Sequence, residues 1–310
     1  MSLVPILLAL LPVTVLIAVG LGLRRLPGFR SPEFWSGAEK LAYYCLLPVL
    51  LFTSVAEVDV AHVPLARLAA ALVVPTVIVS VGIVVARRVV ADDLPAFTSV
   101  LQGGIRFNTY IGLSLAGSLF GSEGSAVAAI VAAILVPTVN VISSLGFEFL
   151  RTGPSSLLAL LRAIVTNPLV LGCVAGVVAN VSGLGLPSVA ATVLDPLAAA
   201  SLPIGLLCVG AGLQTFSGRD HARAIVVSTL IKLVVLPGLS LAALSAFDIP
   251  AVPALVGLIF QSIATASSGY VMARQLGGDA KLMAALIAGQ TVAMLVTLPV
   301  VLVIGQFVLG

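Results

Sequence analysis

Gln102-Gly103-Gly104-Ile105-Arg106-Phe107-Asn108-Thr109-Tyr110-Ile111-Gly112 interrupts the middle of a long apolar run. An arginine at mid-bilayer costs about 2.5–3.5 kcal/mol on insertion scales, so such a residue faces a cavity or a partner. Arg106 is a permanent cation whose forked donors suit a carboxylate. Asn108 and Thr109 add neutral donors and acceptors, and Gly103, Gly104 and Gly112 let a helix unwind or a second backbone approach.

A second stretch of this kind lies further along. Gln261-Ser262-Ile263-Ala264-Thr265-Ala266-Ser267-Ser268-Gly269-Tyr270 again sets small hydroxyl residues and a glycine inside an apolar run. Helical hydrogen bonding can lapse in such a segment and be repaired by side chains. Where two half-broken helices cross, free N–H groups and positive helix ends form an anion cradle, and Arg106 would add the full charge. The competing reading makes Arg106 a structural residue on freed carbonyls, and Ser267 and Ser268 helix-bonded hydroxyls.

The surroundings explain why lipid is the relevant solvent. The 310 residues are 60% hydrophobic and 9% charged, with mean hydropathy +1.23, whereas soluble domains carry about 25% charged residues. At about 20 apolar residues per span, the chain divides into ten: 3–23, 34–56, 64–86, 95–120, 124–149, 156–180, 188–216, 222–246, 251–275 and 280–309. The expected fold is therefore an all-α integral membrane protein of ten transmembrane helices, in which spans 4 and 9 are broken. Met1 to Leu23 reads as a retained span.

Orientation follows from basic residues in the loops. Arg24, Arg25, Arg30, Lys40, Arg87, Arg88, Arg151, Arg162, Arg219, Arg223, Arg274 and Lys281 follow odd-numbered spans, and Arg67 alone follows an even one. Twelve against one places odd loops in the cytoplasm and both termini outside it, in a multi-pass protein of the cell (inner) membrane. The net charge of +3 is scattered, so no nucleic-acid partner is expected.

The two halves repeat. Leu46-Leu47-Pro48 in span 2 answers Ser201-Leu202-Pro203 in span 7, and Gln102…Tyr110 answers Gln261…Tyr270. Ala128–Ala132 in span 5 answers Ala284–Ala288 in span 10. Five helices per unit make the second copy, 151–310, inverted relative to the first, 1–150. Inverted repeats with broken helices at corresponding positions mark secondary transporters.

Other polar groups carry two readings each. Lys232 in span 8 either neutralises carbonyls of a broken helix or stands in for a bound cation. Asn140 and Gln290 either line the cavity or make packing contacts. Pro48 and Pro203 are expected to kink their helices. Cys45, Cys173 and Cys208 read as buried small hydrophobes. Both histidines, His62 and His221, fall in loops, so neither a catalytic constellation nor a metal or cofactor is expected, and there is no ATP-binding motif.

At these residues the chain resembles the auxin efflux carrier family, which includes bacterial membrane permeases and the plant PIN carriers. Leu46–Phe52, Gln102 with Arg106–Leu113, Leu202-Pro203 with Val209–Leu213, and Thr265–Gln275 carry the likeness, together with Lys232-Leu233 before Pro237. The resemblance implies inverted repeats with crossover helices 4 and 9. It further implies a transport unit (spans 3–5 and 8–10) moving against a scaffold (spans 1, 2, 6 and 7) in an elevator motion, often as a homodimer. Bacterial relatives are associated with malate, malonate and similar carboxylates, and plant ones with indole acetate. Phe107 stands where the family commonly has proline, and the long cytoplasmic loop of many plant carriers shrinks here to about Arg151–Pro154.

The expectation is a secondary carrier for a small organic anion, a carboxylate or an auxin-like acid. Arg106 would pair with the carboxylate, with Gln102, Asn108, Thr109, Gln261, Thr265, Ser267, Ser268 and Tyr270 around it. Two alternatives stand beside it: a sodium-coupled symporter of the bile-acid type, and a membrane sensor without transport.

Overall fold

A backbone in hydrocarbon has no water to bond, so its N–H and C=O groups pair within the segment, and helices achieve this. The computed structural model describes residues 3–56, 63–148, 166, 168–182, 188–213, 221–266 and 268–309. The chain runs through α1 (Leu3–Leu23), α2 (Pro32–Ala56), α3 (Leu65–Val85), α4 (Leu94–Ile105) and α5 (Thr109–Glu148). It continues through α6 (Pro168–Val181), α7 (Ser188–Gly212), α8 (Ala222–Ala246), α9 (Ala251–Ser262), α10 (Ser268–Leu276) and α11 (Ala280–Leu309). No strand occurs among the described residues.

Seven helical stretches among the described residues, counting Leu94–Phe147 as one, are long and apolar enough to cross a bilayer. The helices α6 and α9 are apolar but shorter. Large apolar side chains face outward along them, among them Leu8, Leu11, Ile78, Val81, Val296 and Val300. Such apolar coverage over the surface suits lipid and not water. Residues 151–154 and most of the connection to α6 lie outside the described residues, as does His62.

Local breaks follow from particular residues. Gly121 adopts φ +63°, a left-handed conformation open to glycine, and divides α5 into 109–120 and 122–148. The chain folds back there so tightly that a side chain on Gly124 would collide with the Ala116 carbonyl. Proline lacks an N–H and its ring crowds the carbonyl four residues back. In α2 the problem is met by a wide π-turn, Ala42–Leu46, closed by Leu47 N–H on Ala42 O just ahead of Pro48. In α8 the same device, Ile231–Val235 closed by Leu236 N–H on Ile231 O, precedes Pro237. By contrast, α7 continues as one helix through Pro196 and Pro203.

Two helix pairs pack through glycine. Cβ atoms built on Gly172 and Gly176 of α6 would lie 2.6 Å from Pro48 O and 2.8 Å from Phe52 O of α2. This Gly-x-x-x-Gly spacing lets membrane helices approach at backbone distance. Gly20 of α1 and Gly210 of α7 bring those helices together in the same way, against Leu207 and Ile17. Thus α1, α2, α6 and α7 share contacts, α3, α4 and α8–α11 share others, and α5 packs against both groups. Cys173 and Cys208 are buried, whereas Cys45 is exposed.

Candidate functional site

The helix that begins at Leu94 stops at Ile105, and Arg106 is extended at φ −72°, ψ 159°. The helix that begins at Ala251 stops at Ser262, and Ile263 is extended at φ −92°, ψ 159°. The two interrupted segments meet. Asn108 N–H donates to Ala264 O at 2.9 Å, a backbone bond between elements more than 150 residues apart in sequence.

Side chains satisfy the remaining groups. Asn108 Oδ1 accepts from Tyr110 N–H at 3.1 Å and Ile111 N–H at 3.3 Å, capping the start of α5. Thr265 Oγ1 donates toward Gly103 O and Arg106 O, at 3.0 and 3.3 Å. Gln290 Nε2 donates to Gly103 O at 2.9 Å while its Oε1 accepts from Thr265 N–H at 3.1 Å. One amide therefore serves both breaks. Lys232 Nζ donates to Gln261 O at 3.2 Å in the last turn of α9.

Arg106 is 7% exposed, and among the described residues every partner of its guanidinium is neutral. Nη2 donates to Asn140 Oδ1 at 2.9 Å and Ser268 Oγ at 3.4 Å. Nη1 faces Ser143 Oγ at 3.3 Å, Met272 Sδ at 3.2 Å and Gln102 Oε1 at 3.5 Å. Among the described residues no carboxylate pairs with it. The cation is thus held in place by neutral dipoles, with no described carboxylate in direct contact.

Arg106 opens onto a cavity of about 460 Å³ between α2 and the two breaks. Asn108, Thr109, Tyr110, Asn140, Ala266, Ser268 and Met272 line it on one side. Ser36, Glu39, Lys40, Tyr43, Tyr44 and Leu47 of α2 line the other. The starts of α5 and α10 both open here, adding the positive ends of two helices to the arginine. Tyr110 Oη is buried without a hydrogen-bond partner among the described residues.

Of the residues singled out from sequence, Arg106, Asn108, Thr109 and Ser268 meet at this cavity. Gln102 lies one turn behind Arg106, and among the described residues its side chain bonds only to it. Gln261 turns away, with Nε2 on Leu72 O and Thr76 Oγ1 of α3 at 2.9 and 3.1 Å. Thr265 faces the backbone of the first break, and Tyr270 packs beside the apolar core. Ser267 lies outside the described residues. The α2 wall was not among the sequence candidates. The signal the sequence offered was the Tyr43-Tyr44 pair ahead of Pro48, a few residues after the charges Glu39 and Lys40 near the start of the span.

The model of the membrane transport protein family matches residues 5–302. The chain belongs to this family, that of the auxin efflux carriers. Membership makes the chain a membrane transporter. No curated protein matches it significantly.

Phe107, the departure from the proline common in auxin efflux carriers, does not keep α4 helical. Its ring is buried and meets Phe260 of α9 edge-on, with centroids 5.4 Å apart at 64°. Such a pair contributes about 0.5–1.5 kcal/mol beyond burial. Gly112 leaves room for the Phe260 ring, which a Cβ there would meet at 2.7 Å. The break is held by cross-bonding and this ring contact, where a proline would act by removing a donor.

Proposed function

We propose that this auxin efflux carrier homologue is a secondary carrier of small organic anions, with Arg106 pairing with the substrate carboxylate. The observation that carries the reading is the guanidinium itself: buried, held by neutral groups and open to the 460 Å³ cavity. The α5 and α10 ends add donors and dipoles of the same sign. Thr109, Asn140 and Ser268 orient the anion, and Tyr43, Tyr110, Leu47 and Met272 enclose its apolar part.

In this reading the chain forms ten spans as two inverted five-helix units, 1–150 and 151–310, with spans 4 and 9 crossing at their breaks. The matching extended residues Arg106 and Ile263 support it. The elevator motion carries the Arg106 side of the cavity past a frame of α1, α2, α6 and α7. The backbone-distance contacts within that frame support this division.

Uptake of labelled mono- and dicarboxylates into vesicles containing the purified chain tests the reading. Accumulation of at least one acid above protein-free vesicles is expected. No flux of any anion, with the protein folded, would contradict it.

A further inference from the structure

The connection from α3 to α4 carries Arg87 and Arg88 at the mouth of a second pocket, of about 420 Å³. Its two carboxylates are already committed. Asp92 pairs with Arg223 of α8, and Asp93 Oδ1 accepts Ala96 N–H at 2.7 Å as the cap of α4. Arg88 makes no hydrogen bond or ion pair among the described residues. Arg88 therefore brings to the pocket a positive charge that no described carboxylate pairs with.

Phe97 lines this pocket and also an apolar groove of about 290 Å³. The groove runs along α3 past Val84, Val81 and Val77, with Leu101 of α4 and Leu145 of α5 opposite. Val77, Val81, Val84 and Leu145 are 42%, 56%, 37% and 48% exposed, on a surface that lipid covers. A cationic pocket at a helix end thus adjoins, across Phe97, an apolar groove that runs along the span. Basic pockets between membrane helices bind anionic headgroups, and the attached groove selects a ligand with an acyl chain.

We propose that this composite pocket is a binding site for an anionic phospholipid, its phosphate on Arg87 and Arg88 and one acyl chain in the α3–α4–α5 groove. The site is separate from the Arg106 cavity, sharing no lining residue with it. A lipid seated there braces the start of α4, the helix that ends at Arg106.

Native mass spectrometry of the full purified chain tests this, with equal phosphatidylglycerol and phosphatidylcholine of one chain length. Wild type is expected to retain phosphatidylglycerol selectively. Arg87→Gln/Arg88→Gln should weaken that retention about 30-fold, which is about 1 kcal/mol for each arginine. Val81→Trp keeps both charges, alters an exposed side chain and fills the groove. It should also lower retention, and it carries the test alone if the double variant does not fold. Equal retention of both lipids, retention unchanged in either variant, or equally strong competition by inorganic phosphate would overturn the proposal.

Discussion

Lys232 and Gln261 are joined across two helices: the ammonium donates to the Gln261 main-chain oxygen at 3.2 Å, where α9 ends inside the protein. In an unbroken helix that oxygen would accept from Thr265 N–H, which instead bonds Gln290 Oε1. Lys232 is fully buried. The tether thus places the lysine nitrogen at the negative end of a half-helix, where transporters commonly hold a coupling cation.

Sodium independence follows from that tether. Uptake into vesicles should be unchanged when sodium is replaced by choline. Lys232→Met removes the donor to Gln261 O and should reduce uptake, with sodium restoring none of it. A wild-type rate that falls in choline would contradict this role for Lys232.

Gln290 is the shared support of both breaks, so its loss should be felt as instability before anything else. Gln290→Leu keeps much of the volume but leaves Gly103 O and Thr265 N–H short of a partner. Each unsatisfied buried group costs about 1–3 kcal/mol, although Thr265 Oγ1 still reaches Gly103 O. A loss of about 2–4 kcal/mol is expected from the pair, read as a lowered unfolding temperature in detergent. An unchanged temperature would show that the amide does not hold the breaks together.

Asn108 separates support from binding. Asn108→Ala removes the cap of α5 and should cost about 0.5–2 kcal/mol. Asn108→Asp keeps the acceptor for Tyr110 and Ile111 N–H and should fold at least as stably as Asn108→Ala. Its carboxylate lies in the same cavity as Arg106 and should compete with an anionic substrate, abolishing binding. Undiminished uptake by Asn108→Asp would argue against an anion site there.

The breaks were legible because Arg106 and the hydroxyl cluster near Thr265 stand out in apolar runs, where a polar group needs a reason. The inward or outward turn of each side chain was not. Gln261 and Thr265 look alike in sequence as ligand donors, yet Gln261 bonds α3 and Thr265 bonds the other break. Those partners come from distant segments that no local pattern reveals. The α2 wall was hidden for another reason: Glu39 and Lys40 resemble charges at a span boundary. Only the helix starting at Pro32, with its π-turn before Pro48, brings Tyr43 to the cavity. Phe107 was the hardest, since its effect depends on the Phe260 ring from the other half.

The central claim is that Arg106 binds the carboxylate, and ligand-induced thermal stabilisation of wild type beside Arg106→Gln tests it most directly. A ligand that binds the folded state raises apparent stability as RT ln(1 + [L]/Kd). A hydrogen bond to a charged group contributes about 1.5–3 kcal/mol, or roughly 10- to 150-fold in affinity. Mono- or dicarboxylates, or indole acetate, should raise the unfolding temperature of wild type. The same acid should leave a folded Arg106→Gln variant unmoved. An equal shift in both proteins would contradict the claim and place the anion elsewhere.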